Sequence, residues 1–497
     1  MGKVIHRFGT THVFTHLSTV LIRSLLILSL LSQTLAAADL PDLGEVSRQY
    51  FSDVDEQQLS RTIMRDIYAD PLYLDDPEIE AYFEQLGYRL VSVSSRNQRD
   101  FHFFVIQDPS INAFALPGGN IGVHTGLIMG AQNESELASV LSHEIAHVTQ
   151  EHISRMVAAQ SQGYWPTLAA LGLALLAARS NSNLASAAIA STQALSIQNQ
   201  LNYTREYERE ADRIGYETLS KARLDPRGMS SFFTKLQRTN RLYDTSAPAY
   251  LRTHPLTSER IADMEARVAS TPYLQITDSP EFHLVRARLR AREGTAQEAI
   301  KVFQAQLKDK RYSQASAAHY GLALAFLRAR NFPGAENEVQ QLVTHSKTRS
   351  PMIATLAGRV AQESGNTERA LERYRIGAAA YPAYRPLLYR YADTLLDAGK
   401  ARDSATFLAS QLNTWSRDAR FWRLAAQAHS SLGQRLQSHR ALAEAFALSG
   451  NLAAALEQIK LGIKAADGGF YELSAAEARR REWETLEKST ANSDKRF

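Results

Sequence analysis

ESELASVLSHEIAH, residues 134–147, is the stretch that decides most about this chain. Its spacing of apolar and polar residues predicts a helix. On a helix, two histidines four positions apart, here His143 and His147, lie on the same face one turn from each other. Both imidazoles can then reach a single zinc ion, while Glu144 points at a water bound beside it. Such a site permits the hydrolysis of an amide bond.

A solvated helix face that carries two polar histidines is the alternative to a metal site. Val140, Leu141, Ile145 and Ala146 surround the motif with apolar side chains, which indicates that the helix packs inside a domain. Buried histidines need polar partners, and a metal ion is a suitable one. We therefore favour the zinc site.

A zinc site of this type needs a third protein ligand and leaves a fourth position for water. The extended motif H-E-x-x-H-x-x-G-x-x-H would require glycine and histidine at two positions where this chain has Gln150 and Ile153. His152 lies one residue out of that register, and we predict that it is a solvated surface residue. The third ligand must therefore come from another segment.

A carboxylate on a second helix is the natural candidate for that ligand. The segment YTREYEREADRIGY, residues 203–216, offers Glu206, Glu208 and Glu210 by residue type. Glu208 and Asp212 are four apart and share a helix face, so we assign Glu208 to zinc and Asp212 to the orientation of a zinc-binding histidine. A charged, solvated helix surface is the alternative, and it suits Glu206 and Glu210 well.

Composition limits the other possibilities. With 497 residues, two or three domains are expected. The formal net charge is only +4, and three of the basic residues lie near the N-terminus, so nothing indicates a nucleic-acid partner. The chain contains no cysteine, which excludes thiolate zinc sites and cysteine nucleophiles. Metal ligands must be His, Asp or Glu.

The N-terminus has the pattern of a secretory signal peptide. Lys3, Arg7 and Arg23 precede the apolar run LLILSLL, residues 25–31, and three alanines end at residue 38. Cleavage at that point would export the protein. An uncleaved anchor is the alternative, although the apolar run is short for a bilayer span.

The segment before the zinc helix predicts a small sheet. Residues 45–100 are mainly helical in pattern, residues 101–106 predict a strand, and residues 111–127 predict two short strands around the turn Pro117-Gly118-Gly119. An edge strand beside the zinc helix could pair with an extended substrate backbone.

The apolar stretch 164–178 is too short to span a membrane. We predict that it forms a core helix, and the alternative is an element that lies on a membrane surface or gates substrate access.

A repeat follows from about residue 280. Ala299, Ala335, Ala370 and Ala405 recur at steps of 35 or 36 residues, the first three have a larger side chain four positions later, and turn signals precede each. This is the period of tetratricopeptide repeats, whose stacked helix pairs form concave surfaces that bind peptides or proteins. A generic helical bundle is the alternative, but the regular step disfavours it.

Three ordered motifs together resemble the HtpX- and Oma-like zinc endopeptidases. They are NAFALPGGNIGV at residues 112–123, HEIAH at residues 143–147 and EREAD at residues 208–212. Within that family the chain is most similar to periplasmic members of Gram-negative bacteria that carry C-terminal repeats. The resemblance covers the leader, the peptidase domain to about residue 268 and the repeats.

The resemblance implies a role for each site residue. His143, His147 and Glu208 would bind one zinc ion per subunit, Glu144 would be the general base, and Asp212 would orient a ligand. The family also has a His-Pro loop, matched here by THPL at residues 253–256, whose histidine, His254, would occupy the open zinc position and keep the enzyme latent. From the sequence alone, His254 could equally be a loop residue with no metal contact.

The fold class that we predict is mainly α: an α+β peptidase domain with a small sheet and zinc-binding helices, then an α-solenoid. The expected divisions are a signal peptide at 1–38, the metallopeptidase domain at 39–268, a linker at 269–280, the repeats at 281–485 and a disordered tail at 486–497.

The resemblance implies periplasmic hydrolysis of unfolded or misassembled outer-membrane proteins and assistance in their assembly. The repeats would dock on the outer-membrane beta-barrel assembly machinery, with possible peripheral membrane association. A chaperone or scaffold with a latent or structural zinc site is the alternative.

Overall fold

Two helices and a three-stranded sheet come first in the described part of the computed structural model. The structure describes residues 52–95, 100–159, 205–242, 249–273, 275–345, 348–465 and 467–494, together with residue 2. Helices α1 (Asp53–Ala69) and α2 (Pro77–Val91) precede strands β1 (His102–Ile106), β2 (Ala113–Leu116) and β3 (Asn120–His124). The predicted signal peptide and the apolar stretch 164–178 lie outside the described residues.

The sheet has the strand order β1-β3-β2, with β1 parallel and β2 antiparallel to β3. The β2–β3 hairpin turns at Gly118 and Gly119, whose φ angles of 80° and 76° favour glycine. All three strands coincide with the predicted ones. Because β3 lies in the centre, β2 is an edge strand of this sheet, and its face packs against the helix that carries the HEIAH motif.

Seven helices complete the N-terminal part among the described residues. They are α3 (Thr125–Gly130), α4 (Glu134–Thr149), α5 (His152–Ala159), α6 (Arg205–Lys221), α7 (Arg227–Leu242), α8 (Ala249–Thr253) and α9 (Ser258–Ala269).

Helix α4 is the centre of this part, because every one of its residues is buried. It begins at Asn133, whose side chain accepts a hydrogen bond from the backbone N–H of Glu136 at 2.8 Å. Helices α6 and α7 pack along it. At Gly215 of α6, an added Cβ would lie 3.1 Å from the backbone nitrogen of His143. This glycine therefore allows α6 to approach α4 closely enough for side chains of both helices to meet.

The C-terminal part is an array of helices, as the repeat pattern predicts. Its members are α10 (Pro280–Arg290), α11 (Ala296–Lys308), α12 (Ala315–Arg328), α13 (Phe332–Gln340), α14 (Pro351–Glu363), α15 (Thr367–Ala380), α16 (Arg385–Asp397), α17 (Ala401–Thr414), α18 (Ala419–Ser431), α19 (Arg435–Leu448), α20 (Leu452–Ala465) and α21 (Phe470–Asp494).

In the array, large side chains of one helix pack against small residues of a neighbouring helix, which explains the alternation of small and large residues in the repeat. The ring of Tyr374 occupies the space where a Cβ of Gly358 would lie, and the ring of Phe303 does the same at Gly321.

The mainly α fold is confirmed. The prediction of a disordered tail from residue 486 differs from the structure, in which α21 continues to Asp494; ion pairs one turn apart, such as Arg480 with Glu484 at 3.0 Å, support that helix. The other domain limits stay predictions.

The core does not divide between the two parts of the chain. One cluster of buried apolar residues runs from Leu74, through the sheet and α4, to Val360 of α14. The segment that leads into the array is bonded to the beginning of α4: Asp278 accepts from the backbone N–H of Glu134 at 2.9 Å, and the Ser279 hydroxyl donates to the Glu134 carboxylate at 2.6 Å. The array is therefore fixed to the helix that carries the HEIAH motif.

Ion pairs add to this junction. The acidic residues in and just before α2 face arginines of the array. The most buried of these is Arg288 of α10, which lies 2.8 Å from both Asp76 and Glu78. Arg385 pairs with Glu84.

No helix within the described ranges has the length and apolar character needed to cross a bilayer.

Removal of the Arg288 charge tests this junction. Arg288→Met keeps much of the volume but leaves the buried Glu78 without its ion-pair partner and Asp76 with only the more distant Arg292, at 3.4 Å. We expect a loss of about 3–5 kcal/mol in the free energy of unfolding, measured by urea denaturation. Arg290→Met on the same helix, at an exposed arginine, is the control and should change it by less than about 0.5 kcal/mol. Equal effects of the two substitutions would contradict the proposed role of the buried pairs.

Candidate metal centre

Four ionisable side chains from three separate segments converge in the N-terminal part. His143 and His147 come from α4, Glu208 from α6, and His254 from the loop that follows α8. One ligand atom of each lies within 4.8 Å of the others, and each residue is buried. The structure thus brings together all four residues that the sequence analysis placed at zinc.

The distances between these atoms match those of a tetrahedral zinc site. Zinc lies about 2.0–2.1 Å from nitrogen or oxygen ligands, so two ligand atoms of a tetrahedron are about 3.3 Å apart. His143 Nε2 is 2.9 Å from His147 Nε2 and 3.3 Å from His254 Nδ1. Glu208 Oε1 is 3.3 Å from His147 Nε2 and 3.0 Å from His254 Nδ1. The residues present therefore fit a zinc ion.

The orientation of His143 also suits metal binding. Its Nδ1 lies 3.0 Å from Asp212 Oδ1. A carboxylate beside Nδ1 favours the tautomer that has its proton on this nitrogen, which leaves the lone pair of Nε2 for the centre of the cluster. Asp212 therefore occupies the position predicted for it, behind a histidine of the cluster.

Arg260 of α9 is a member of the site that the sequence analysis missed. Its guanidinium is bidentate to Asp212, at 2.6 and 2.7 Å, and Nη1 lies 2.7 Å from Glu208 Oε2. Nη1 also donates to the backbone carbonyl of Pro255 at 2.7 Å. One buried side chain thus holds both acids of α6 and the loop that carries His254. The arginine on the amphipathic helix after the His-Pro loop was the signal available in the sequence.

Burial and neighbouring charges act in opposite directions on the carboxylates. Burial raises the pKa of Glu208, but the charges of His254 and Arg260 outweigh it and hold this pKa well below its usual value. Burial likewise raises the pKa of Glu144, and here it prevails over the nearby histidines. Glu208 is thus a fixed anion, whereas Glu144 has a raised proton affinity, as a general base requires.

His254 lies over the cluster and closes it. Its ring stacks on Tyr250, with centroids 4.7 Å apart, and only 1% of the residue is exposed. Its Nε2 lies 3.4 Å from Glu144 Oε1, while its Nδ1 faces Glu208. Burial lowers the pKa of His254, but Glu144 and Glu208 raise it more. In this arrangement His254 stands where a fourth ligand would stand.

The remaining acids of α6 lie outside the cluster. Glu206 is exposed, as the solvated-surface alternative predicted. Glu210 is partly buried and pairs with Arg155 Nη1 at 2.9 Å, so its partner comes from α5.

The prediction that His152 is a solvated surface residue is wrong. It is fully buried, and its Nδ1 lies 2.8 Å from Nδ1 of His147. The reason is a turn in the chain: α4 ends at Thr149, and Glu151 adopts a left-handed φ of 54° before α5 begins. This turn folds His152 back against α4, so the helical register on which the prediction depended does not continue.

Comparisons with known proteins agree with this geometry. The sequence model of Peptidase family M48 matches residues 77–268. A Vibrio cholerae protein provisionally named beta-barrel assembly-enhancing protease is 34% identical over 83% of this chain and 85% of its own length. The Escherichia coli beta-barrel assembly-enhancing protease is 32% identical over 86% of this chain and 89% of its own.

A more distant relative matches a smaller share of the chain. The mitochondrial metalloendopeptidase OMA1 of Schizosaccharomyces pombe is 28% identical over 44% of this chain and 64% of its own length. Together these matches confirm the resemblance that the three motifs predicted. The chain belongs to Peptidase family M48, as a zinc metalloprotease related over most of its length to the beta-barrel assembly-enhancing proteases.

Proposed function

We propose that this protein hydrolyses peptide bonds in unfolded or misassembled outer-membrane beta-barrel proteins and also assists their assembly. The observation that carries the hydrolytic part is the convergence of His143, His147 and Glu208 at tetrahedral spacing, with Glu144 beside them. The names of the two relatives that match most of the chain support the choice of client.

His143, His147 and Glu208 would hold one zinc ion per subunit. When bound in such a site, zinc acts as a Lewis acid and lowers the pKa of a water ligand to roughly 7, against about 15.7 for bulk water. Asp212 keeps His143 in the tautomer whose Nε2 faces the centre.

Glu144 moves the proton in this mechanism. Its carboxylate is fully buried beside the cluster, and burial raises its pKa, so it can take a proton from the attacking water and deliver it to the leaving amine. Strand β2, an edge strand among the described residues, packs along α4, and the backbone of an extended substrate would add to it as a further strand.

His254 would hold the enzyme latent in the arrangement described. A site whose fourth position is filled by a side chain has no place for the attacking water. Hydrolysis would require the loop at residues 254–257 to move, and Arg260 opposes that movement through its bond to the Pro255 carbonyl.

A chaperone or scaffold role is favoured by the same observation. With His254 in place, the repeats could still bind clients or dock on the outer-membrane assembly machinery while the zinc site remains silent. Export to the periplasm of a Gram-negative bacterium is supported by the leader pattern, and peripheral membrane association remains part of the proposal.

Glu144→Gln tests the hydrolytic role. The amide keeps the size of the side chain but cannot accept a proton, so zinc should stay bound while cleavage falls by about 10²–10⁴-fold. The measurements are metal analysis of the purified protein and digestion of unfolded casein, the latter with and without a chelator.

The two proposed activities separate in the same variant. Client assembly that survives in Glu144→Gln would assign that part to the scaffold role. Casein turnover that remains at the wild-type rate in this variant would refute the general-base assignment.

His254→Ala tests latency. Removal of the imidazole opens the fourth position, so we expect faster zinc-dependent digestion of casein than in the wild type, with one zinc per chain retained. A fall in activity at unchanged zinc content and thermal stability would instead assign His254 a duty in the reaction.

A further inference from the structure

His147 has a buried partner on the side that faces away from the cluster. While its Nε2 faces His143 and Glu208, its Nδ1 lies 2.8 Å from Nδ1 of His152, the first residue of α5. His152 is itself fully buried. None of the roles assigned above uses this residue.

Hydrogen-bond chemistry fixes the proton positions of the two rings. A neutral imidazole carries one N–H and one lone pair. If Nε2 of His147 gives its lone pair to zinc, its Nδ1 must carry the proton and donate it. Nδ1 of His152 is then the acceptor, which leaves the proton of His152 on Nε2.

The other nitrogen of His152 has the partner that this arrangement requires. Nε2 lies 3.1 Å from Oε2 of Glu210, a carboxylate that can only accept. The same oxygen accepts a hydrogen bond from Arg155 Nη1 at 2.9 Å. A directed chain of hydrogen bonds therefore runs from His147 through His152 to Glu210, with no conflict between donors and acceptors.

Packing holds the His152 ring in this orientation. It stacks on Tyr207 of α6, with ring centroids 4.6 Å apart and planes inclined by 12°. The guanidinium of Arg155 lies over the other ring of this pair, 4.6 Å from the Tyr207 centroid. The ring thus bridges α5 and α6 at the back of the metal centre.

We propose that His152 is a positioning residue of the zinc centre: it accepts the Nδ1 proton of His147 and so fixes the tautomer and ring plane in which Nε2 faces the metal. It would do for His147 what Asp212 does for His143. The inference rests on the proposed role of His147 as a zinc ligand.

Two substitutions at His152 separate hydrogen bonding from packing. His152→Phe keeps an aromatic ring against Tyr207 but removes the acceptor, and should weaken zinc binding by about 10- to 100-fold. His152→Asn places an amide oxygen near the position of Nδ1 and should restore most of that affinity. The measurement is the zinc dissociation constant of the full-length protein by competition with a chelator.

His102→Phe is the matched control, because His102 is another histidine of the N-terminal part, on β1, which bonds to Tyr68 at 3.1 Å and lies outside the metal centre. It should leave the zinc affinity unchanged. Wild-type affinity in His152→Phe, or an equal loss in His152→Phe and His152→Asn, would overturn the positioning role. If the wild type itself binds no zinc, the proposed function fails instead.

A measurement on the unsubstituted protein keeps the proposal testable even if His152→Phe does not fold. In the zinc-loaded protein, ¹⁵N NMR of the histidine rings should show a proton on Nδ1 of His147 and on Nε2 of His152. A proton on Nδ1 of His152 would refute the inference, since that ring could then not accept from His147.

Discussion

The burial of three carboxylates in one centre that contains a single guanidinium is the constraint on which the rest of the centre depends. Glu144, Glu208 and Asp212 are all buried, and Arg260 bonds to two of them. With the histidines neutral, one guanidinium leaves two of these negative charges without compensation, and a divalent metal bound there would supply the missing two. Charge balance thus favours the same metal that the spacing of the ligands accommodates, and it accounts for the contact of Arg260 with both acids of α6.

The peptidase and repeat parts are joined at α4, the helix that carries the HEIAH motif. The segment before α10 bonds to Glu134, the first residue of α4, while Arg288 pairs with the acids that begin α2. A client bound to the array would therefore be held on a body that shares its core with the zinc site. The two relatives that match more than four-fifths of this chain span both parts as well.

A series of side-chain contacts fixes the residues around the metal centre. His143 is fixed by Asp212, Asp212 by Arg260, and Arg260 in turn holds the Pro255 carbonyl beside His254. Displacement of the loop for catalysis would break one bond of Arg260 but leave its pairs with the acids intact. The positions of His143 and Glu208 could therefore persist while the fourth position opens, which is what the proposed latency requires.

The sequence by itself determined the features that depend on local periodicity. Helical spacing places His143 with His147 and Glu208 with Asp212, and a regular step of small residues specifies the array. Tertiary structure decided which residues meet across distant segments. His254 reaches the cluster from a loop, Arg260 bridges two helices, and His152 is buried against His147 after the turn at the left-handed Glu151. No local pattern encodes such contacts, since they depend on how α4, α6 and α9 pack, and a single residue with positive φ redirects everything after it.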